Sequence, residues 1–227
     1  MWTTISESSD AYYGMNQVYE IFSKAEDSLQ KIEKILEKKV KGRVLDLGCG
    51  SGKFTKFLSE KAEEYIALDK SADQLSLAKS KVKKGEFICS SAEDIPLEKE
   101  SIDFGVAAWM LGTIPERERQ ARVVLEIKRV LKKGGFFYLI ENDDGGEFEE
   151  IRGRTLDKRT KEYNAWLLTQ GFTIFERIET CFAFTSFKET TEVFTKIWGE
   201  NVGKKIKSRF VKHNVCIFVL RKEGETL

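Results

Sequence analysis

The segment Val44-Leu-Asp-Leu-Gly-Cys-Gly-Ser-Gly-Lys-Phe-Thr55 constrains this chain more than any other. A short apolar run, RVLDL at 43–47, leads into it, and a helix-patterned stretch at 54–62 follows. A glycine loop between a strand and a helix brings backbone amides and a helix N-terminus to an anionic group. Gly48, Gly50 and Gly52 can take positive φ and leave room for a ligand against the backbone. The dinucleotide fingerprint wants glycine at relative positions 1, 3 and 6, but here the glycines stand at 1, 3 and 5 and Lys53 takes the sixth place. Asp46, two residues ahead of the first glycine, would repel a pyrophosphate but could help hold an ammonium group.

Around the loop, short apolar runs alternate with helical patterns. RVLDL (43–47), YIALD (65–69), EFIC (86–89), IDFGVAAW (102–109) and FFYLIE (136–141) read as strands, and 54–62, 72–83 and 116–131 read as helices. This alternation predicts a parallel α/β sheet with crossovers on both faces. After Glu141 the pattern predicts a helix at 157–170, a strand at 172–179, a helix starting at Ser186 and an interior strand, VCIFVL, at 215–220. Ser186 and Glu189 have capping-box spacing. Upstream, Val18, Ile21, Phe22, Ala25, Leu29, Ile32 and Leu36 form one stripe of 3.6-residue period, predicting a helix over about 16–38. No linker-like stretch interrupts 42–222, so one domain is expected over 1–227. It comprises an N-terminal helical extension or lid (1–40), a cofactor-binding half (41–141) and a substrate-side half (142–227).

Composition removes several classes of function. The 227 residues hold 38 Lys and Arg against 37 Asp and Glu, which takes away the charge-driven reason to bind nucleic acid. The longest near-apolar stretch, 104–111, falls far short of the roughly 18 residues that suggest a membrane span. The first residues lack the basic start and apolar block of a secretory signal, so a cytoplasmic location is expected. Cys49, Cys89, Cys181 and Cys216 lie too far apart in sequence for paired zinc ligands, and no metal site is expected. His213 is the only histidine, which argues against triads and multi-histidine sites; a surface or strand-edge position is expected for it. Charge is uneven, with six acids and no base at 141–150 and five Lys or Arg and no acid at 203–213.

The second strand ends in Asp69, and a carboxylate at that tip can accept both hydroxyls of a ribose. An amino acid's charges at the loop, with a ribose beyond them, describe S-adenosylmethionine better than a nicotinamide dinucleotide. At this point the chain resembles the class I S-adenosylmethionine-dependent methyltransferases, particularly the small type-11 group. VLDLGCGSG (44–52), ALDKSADQLSLAK (67–79), SSAEDIPLEKESIDFGVAAWMLGTI (90–114) and EIKRVLKKGGFFYLIE (126–141) carry the resemblance. It implies a Rossmann-like, doubly wound, mostly parallel seven-stranded sheet with an antiparallel last strand. It further implies S-adenosylmethionine as cofactor and S-adenosylhomocysteine as product. Asp46, Gly48 and Gly50 would line the methionine end, with Cys49 and Gly52 in the same loop. Asp69 would bind the ribose and Lys70 flank the adenine. Ala92 and the side chain of Ser91 or Glu93 would meet the adenine edge, and Ala108 and Trp109 would lie near the sulfonium. Ser91 stands where relatives often have an acid, and the loop 109–113 lacks the histidines that relatives often carry.

Methyl transfer needs chiefly alignment and exclusion of water. Where an acceptor requires a base, Glu141, Asp143 and Asp144 at the end of the fifth strand are the candidates. The chain has no Pro-Pro and no Pro-Cys, which argues against amino-methylating and pyrimidine C5-methylating nucleic-acid enzymes. Aromatic residues concentrate at the N-terminus (Trp2, Tyr12, Tyr13, Tyr19) and in the C-terminal third, where they could wall an apolar pocket. The expected reaction is methyl transfer to a small molecule by a monomer or homodimer. The alternatives are a tRNA, rRNA or protein methyltransferase using 203–213, and a cofactor-binding partner subunit that no longer methylates.

Overall fold

The structure is a computed structural model that describes residues 16–224. The expectations for Trp2, Tyr12 and Tyr13 lie outside the described residues. Seven strands form one sheet: β1 (Arg43–Leu47), β2 (Glu64–Asp69), β3 (Glu86–Cys89), β4 (Ile102–Ala108), β5 (Leu131–Asn142), β6 (Thr173–Ala183) and β7 (Phe210–Arg221), in the order β3-β2-β1-β4-β5-β7-β6. The neighbouring pairs among β1 to β5 are parallel, while β7 runs antiparallel between β5 and β6. The order reverses between β1 and β4. In such sheets ligands bind outside the carboxyl ends of the strands, at the reversal.

The sheet is sandwiched because its central strands are apolar on both faces. Leu45, Leu47, Ile66 and Phe137 pack with Val123 and Ile127 of α5 (Arg117–Val130) on one side. Val44, Ala67 and Phe104 pack on the other with Leu36 of α2 (Lys31–Leu36), Leu58 of α3 (Thr55–Lys61) and Ala78 of α4 (Ala72–Ser80). A third cluster lies apart from both. It joins Phe22 of α1 (Asn16–Ala25), Phe148 of α6 (Gly146–Arg152), Phe182 of β6, and Phe194 and Ile197 of α7 (Phe187–Trp198).

The expected helix over 16–38 is two helices. Asp27, at φ 49°, breaks it: its carboxylate accepts the amides of Lys31 (3.2 Å) and Ile32 (3.0 Å) and the hydroxyl of Thr180 (2.7 Å). Leu29, counted in the apolar stripe, is half exposed in the connecting turn. The capping signal at Ser186 is realised, since its hydroxyl accepts the amide of Glu189. Glu189, however, reaches back to the amide and hydroxyl of Thr185. Two residues of the basic stretch 203–213 are tied into the fold: Lys205 donates to the carbonyl of Ile151, and Arg209 to that of Phe184. No helix among the described residues is long and apolar enough to cross a membrane.

Candidate functional site

At the sheet reversal, Gly48, Asp69, Lys70, Ser91, Ala92 and Glu93 line a cleft that opens to solvent. All six are residues expected at the cofactor. The cleft is completed by residues that the sequence reading passed over, among them Met110, Thr113, Ile114 and Arg119. Met110 lies over Gly48, where a Cβ would run into its side chain. That glycine, at φ +69°, leaves the space above the loop to other groups.

The loop is tied to the ribose acid. Gly50 donates its amide to Asp69 Oδ2 and Ser71 donates its amide to Oδ1, both at 2.9 Å. Asp69 is thus buried at the tip of β2 with its carboxylate oriented by two backbone donors. A carboxylate held in this way can take further hydroxyl donors. Gly52 has a different task. At φ +89°, a Cβ there would stand 2.8 Å from Ala78 Cα, so this glycine lets α4 close on the loop.

Asp46 points beneath the loop. Tyr65 donates its hydroxyl to Asp46 Oδ2 at 2.9 Å, and the Tyr65 hydroxyl oxygen also lies 2.9 Å from Thr55 Oγ1. Burial pushes the Asp46 carboxyl up to about 7, against the pull of Tyr65, and nearby Asp69 adds to the rise. Cys49 is buried, and burial raises its thiol far above the usual range. Glu93 lines the cleft while paired with Arg119 (2.7 Å) and Arg122 (2.9 Å), and Ser91 Oγ accepts the Glu93 amide. Ala108 and Trp109 sit at the tip of β4, outside the cleft wall but beside the loop. Trp109 has φ +48°, unusual for a bulky residue, and its ring stacks on Phe54 at 6.4 Å.

The three carboxylates offered as bases separate. Glu141 is buried, accepts Tyr163 Oη (3.0 Å) and the Gly112 amide (3.3 Å), and is raised by burial to about 7. Asp143 is held by Arg177 at 2.8 Å and by Asn164 at 3.3 Å. Asp144 is exposed.

His213 overturns its expected surface position. It is fully buried, stacks on Phe182 at 4.8 Å and Trp109 at 5.9 Å, and its Nε2 is 2.8 Å from Asn142 Oδ1. Burial drives its pKa well below the ordinary value, and Arg152 and Lys53 push the same way. The antiparallel course of β7 causes this, since it returns the start of the strand to the carboxyl end of β5. Lys53 was noted only as a misplaced sixth glycine. Its ammonium donates to the carbonyls of Ser23 and Glu26, both at 2.6 Å, and so fastens α1 to the glycine loop. Tyr19 of α1 follows, its ring 3.8 Å from where a Gly50 Cβ would stand.

The chain is similar to known proteins over this same half. Residues 45–139 match the family described as "Methyltransferase domain". The demethylmenaquinone methyltransferase of Thermotoga maritima is 35% identical over 101 residues, 44% of this chain and 43% of the relative. The ubiquinone/menaquinone biosynthesis C-methyltransferase UbiE of Campylobacter jejuni is 32% identical over 106 residues, 44% of each chain. The chain therefore spans less than half the length of these curated relatives. In fold, it resembles a chain of the complex between the Haloferax volcanii Trm112 methyltransferase activator and a methyltransferase. That likeness has a TM-score of 0.64 at 17% identity and covers 98% of this chain and 99% of the other. Segment 45–139, which holds the glycine loop and the acid of β2, is thus where this chain is similar to the S-adenosylmethionine-dependent methyltransferases.

Proposed function

We propose that this chain binds S-adenosylmethionine in the cleft at the sheet reversal and transfers its methyl group to a small molecule. The observation that supports this reading is the Gly50 amide on Asp69, which ties the carboxylate proposed for the ribose to the loop proposed for the methionine end. Asp69 would take the ribose hydroxyls. Ala92, Met110 and Ile114 would supply an apolar slot for the adenine, with Ser91 at its edge. Gly48 and Gly50 would face the methionine end, and Asp46 would act beneath them as a buried acid. Bound S-adenosylmethionine supplies a methyl group made electrophilic by a positive sulfur. The residues of this chain contribute alignment, through the strained Trp109 at the tip of β4, and exclusion of water, through α1 over the loop.

A small acceptor is favoured by the third aromatic cluster beside the strand tips, and two of the similar proteins are named for quinone methylation. The basic stretch 203–213 supports an RNA acceptor weakly, because Lys205 and Arg209 are used in packing and Lys212 lies 3.7 Å from Glu179. Calorimetric titration with S-adenosylhomocysteine tests the reading. Asp69→Ala should weaken binding by about 1.5–3 kcal/mol, the cost of losing a charged hydrogen-bonding partner. Unchanged affinity in a folded variant would remove the ribose assignment.

A further inference from the structure

The cleft wall formed by Ser90, Ser91, Ala92 and Glu93 carries one carboxylate, and that carboxylate is fully engaged. Glu93 Oε1 takes two N–H groups of Arg119, from Nε at 2.8 Å and Nη2 at 2.7 Å. Its Oε2 takes two of Arg122, from Nε at 3.0 Å and Nη2 at 2.9 Å. A carboxylate offers about four lone-pair sites, and here the N–H groups of two guanidinium forks fill them. Glu93 has none left for an amine of a ligand.

The hydroxyls of the cleft divide. Ser90 gives its proton to the Asp94 carbonyl at 3.0 Å, and Thr113 to the Met110 carbonyl at 2.6 Å. Ser91 does the reverse. Its Oγ accepts the Glu93 amide at 3.2 Å, and its own proton has no acceptor among the described residues. The Ala92 amide beside it has none among them either. Both stand on a turn held at two points, by the Ser90 amide on the Asp69 carbonyl and the Asp94 amide on the Ser91 carbonyl, each at 3.1 Å. The wall that follows Asp69 thus presents two donors, one O–H and one N–H, and no carboxylate oxygen to spare.

Resting on the methyltransferase reading above, which lays the adenine against this wall, we infer that the cleft reads the purine through its ring nitrogens and is indifferent to the 6-amino group. Ser91 is the residue that sets this specificity. Ring nitrogens are acceptors and match the two donors, whereas the amine is itself a donor and needs an acceptor. A site rejects a ligand lacking one polar group when the partner of that group is left buried and unpaired. A carboxylate at position 91 would be left so. The Ser91 hydroxyl is not, because it keeps its proton and can turn it to a ring nitrogen, or to water in a cleft that opens to solvent. Purine nucleosides without the 6-amino group are therefore held as firmly as the adenosine form.

The test uses the full chain and two ligands in calorimetric titration, S-adenosylhomocysteine and its analogue with hydrogen in place of the 6-amino group. The two are expected to bind within about threefold of one another. Ser91→Ala should weaken both alike, by about fivefold, the loss of one neutral hydrogen bond. Ser91→Asp should separate them by at least about tenfold in favour of S-adenosylhomocysteine. Its carboxylate accepts the amine, and in the analogue it meets only a C–H and ring lone pairs. A parent that prefers S-adenosylhomocysteine by more than about threefold overturns the inference. So does a Ser91→Asp variant that binds S-adenosylhomocysteine with the parent's ratio, or a folded Ser91→Ala variant that binds both ligands as the parent does. Binding of S-adenosylhomocysteine but not the analogue removes this inference alone. If the parent binds neither ligand, the methyltransferase reading falls, and the inference with it.

Discussion

The ammonium of Lys53 stands 2.6 Å from the carbonyl oxygen of Ser23, and by the same distance caps Glu26. One side chain of the glycine loop thus closes the carboxyl end of α1, where the helix leaves its carbonyls unsatisfied and its dipole is negative. Burial lowers the pKa of this lysine, while Glu26, Asp27 and Glu33 oppose that shift. Lys53→Met keeps the stem and removes the cap. We expect a loss of about 1–3 kcal/mol in chemical denaturation, with hydrogen exchange rising first in residues 18–30. Exchange that rises evenly over the sheet instead would show that the lysine supports the whole fold and has no special hold on α1.

Gly52 and Gly48 are expected to fail in different ways when replaced by alanine. At Gly52 the new Cβ meets the backbone of Ala78 at 2.8 Å, and φ is +89°. Neither problem can relax cheaply, so Gly52→Ala should cost about 2–5 kcal/mol of unfolding free energy. At Gly48 φ is also positive, and the new Cβ meets Met110 at its Cγ and Cβ, with no backbone atom in the way. Gly48→Ala should therefore lose stability as well, but less than Gly52→Ala, and should reduce S-adenosylhomocysteine affinity by displacing Met110 into the cleft. Equal destabilisation by the two, measured by urea unfolding, would contradict this division of labour.

What could be read from the sequence was local, and what escaped it was carried by contacts distant along the chain. The glycine loop, Asp69 and the Ser186 cap depend on neighbours a few residues away, and each stands where its spacing placed it. The break at Asp27 depends partly on Thr180, 153 residues onward, which no helical periodicity registers. Burial of His213 depends on the reversed course of β7; in the sequence it stands just ahead of the expected last strand, 215–220, and so looked like a surface or strand-edge residue. Asp46 shows a subtler limit. Its place in the motif was evident, but Tyr65, which holds it from beneath, sits in an ordinary apolar strand pattern.

Stability should decline as pH rises, because several buried acids are harder to ionise in the folded chain. Burial lifts Glu26 from 4.5 to about 8, with Asp27 and Glu141 raising it further and Lys53 and Arg152 opposing. Between those values the folded state binds more protons than the unfolded one, so unfolding free energy falls with rising pH. The stabilisation is fully present below pH 4.5 and is lost as pH approaches 8. Asp46 and Glu141, both near 7, contribute over the lower part of that window. Above about pH 7, Glu26 is the main one of the three still titrating. Glu26→Gln should therefore flatten the stability curve chiefly between pH 7 and 8, where one group accounts for at most about 1.4 kcal/mol per unit. A variant with the same slope as the parent in that interval would show that Glu26 is ionised in the folded chain.

Tyr19 offers the most direct check on whether the N-terminal helix belongs to the cofactor site. Its ring edge and hydroxyl lie 3.8 Å from the Cβ position of Gly50, ordinary van der Waals contact with a loop that must remain open for a ligand. The helix is carried there by Lys53 below and by Phe22, whose ring packs on Phe182 at 4.8 Å. Tyr19→Ala should leave these anchors in place while uncovering the methionine end of the cleft to water. We expect S-adenosylhomocysteine to bind about tenfold more weakly, near 1.4 kcal/mol, and to dissociate faster. Tyr19→Phe separates the ring from its hydroxyl: retained affinity assigns the effect to coverage, and a loss equal to that of alanine assigns it to a polar contact with the ligand. If both variants bind as the parent does, α1 rests on the loop without closing the site.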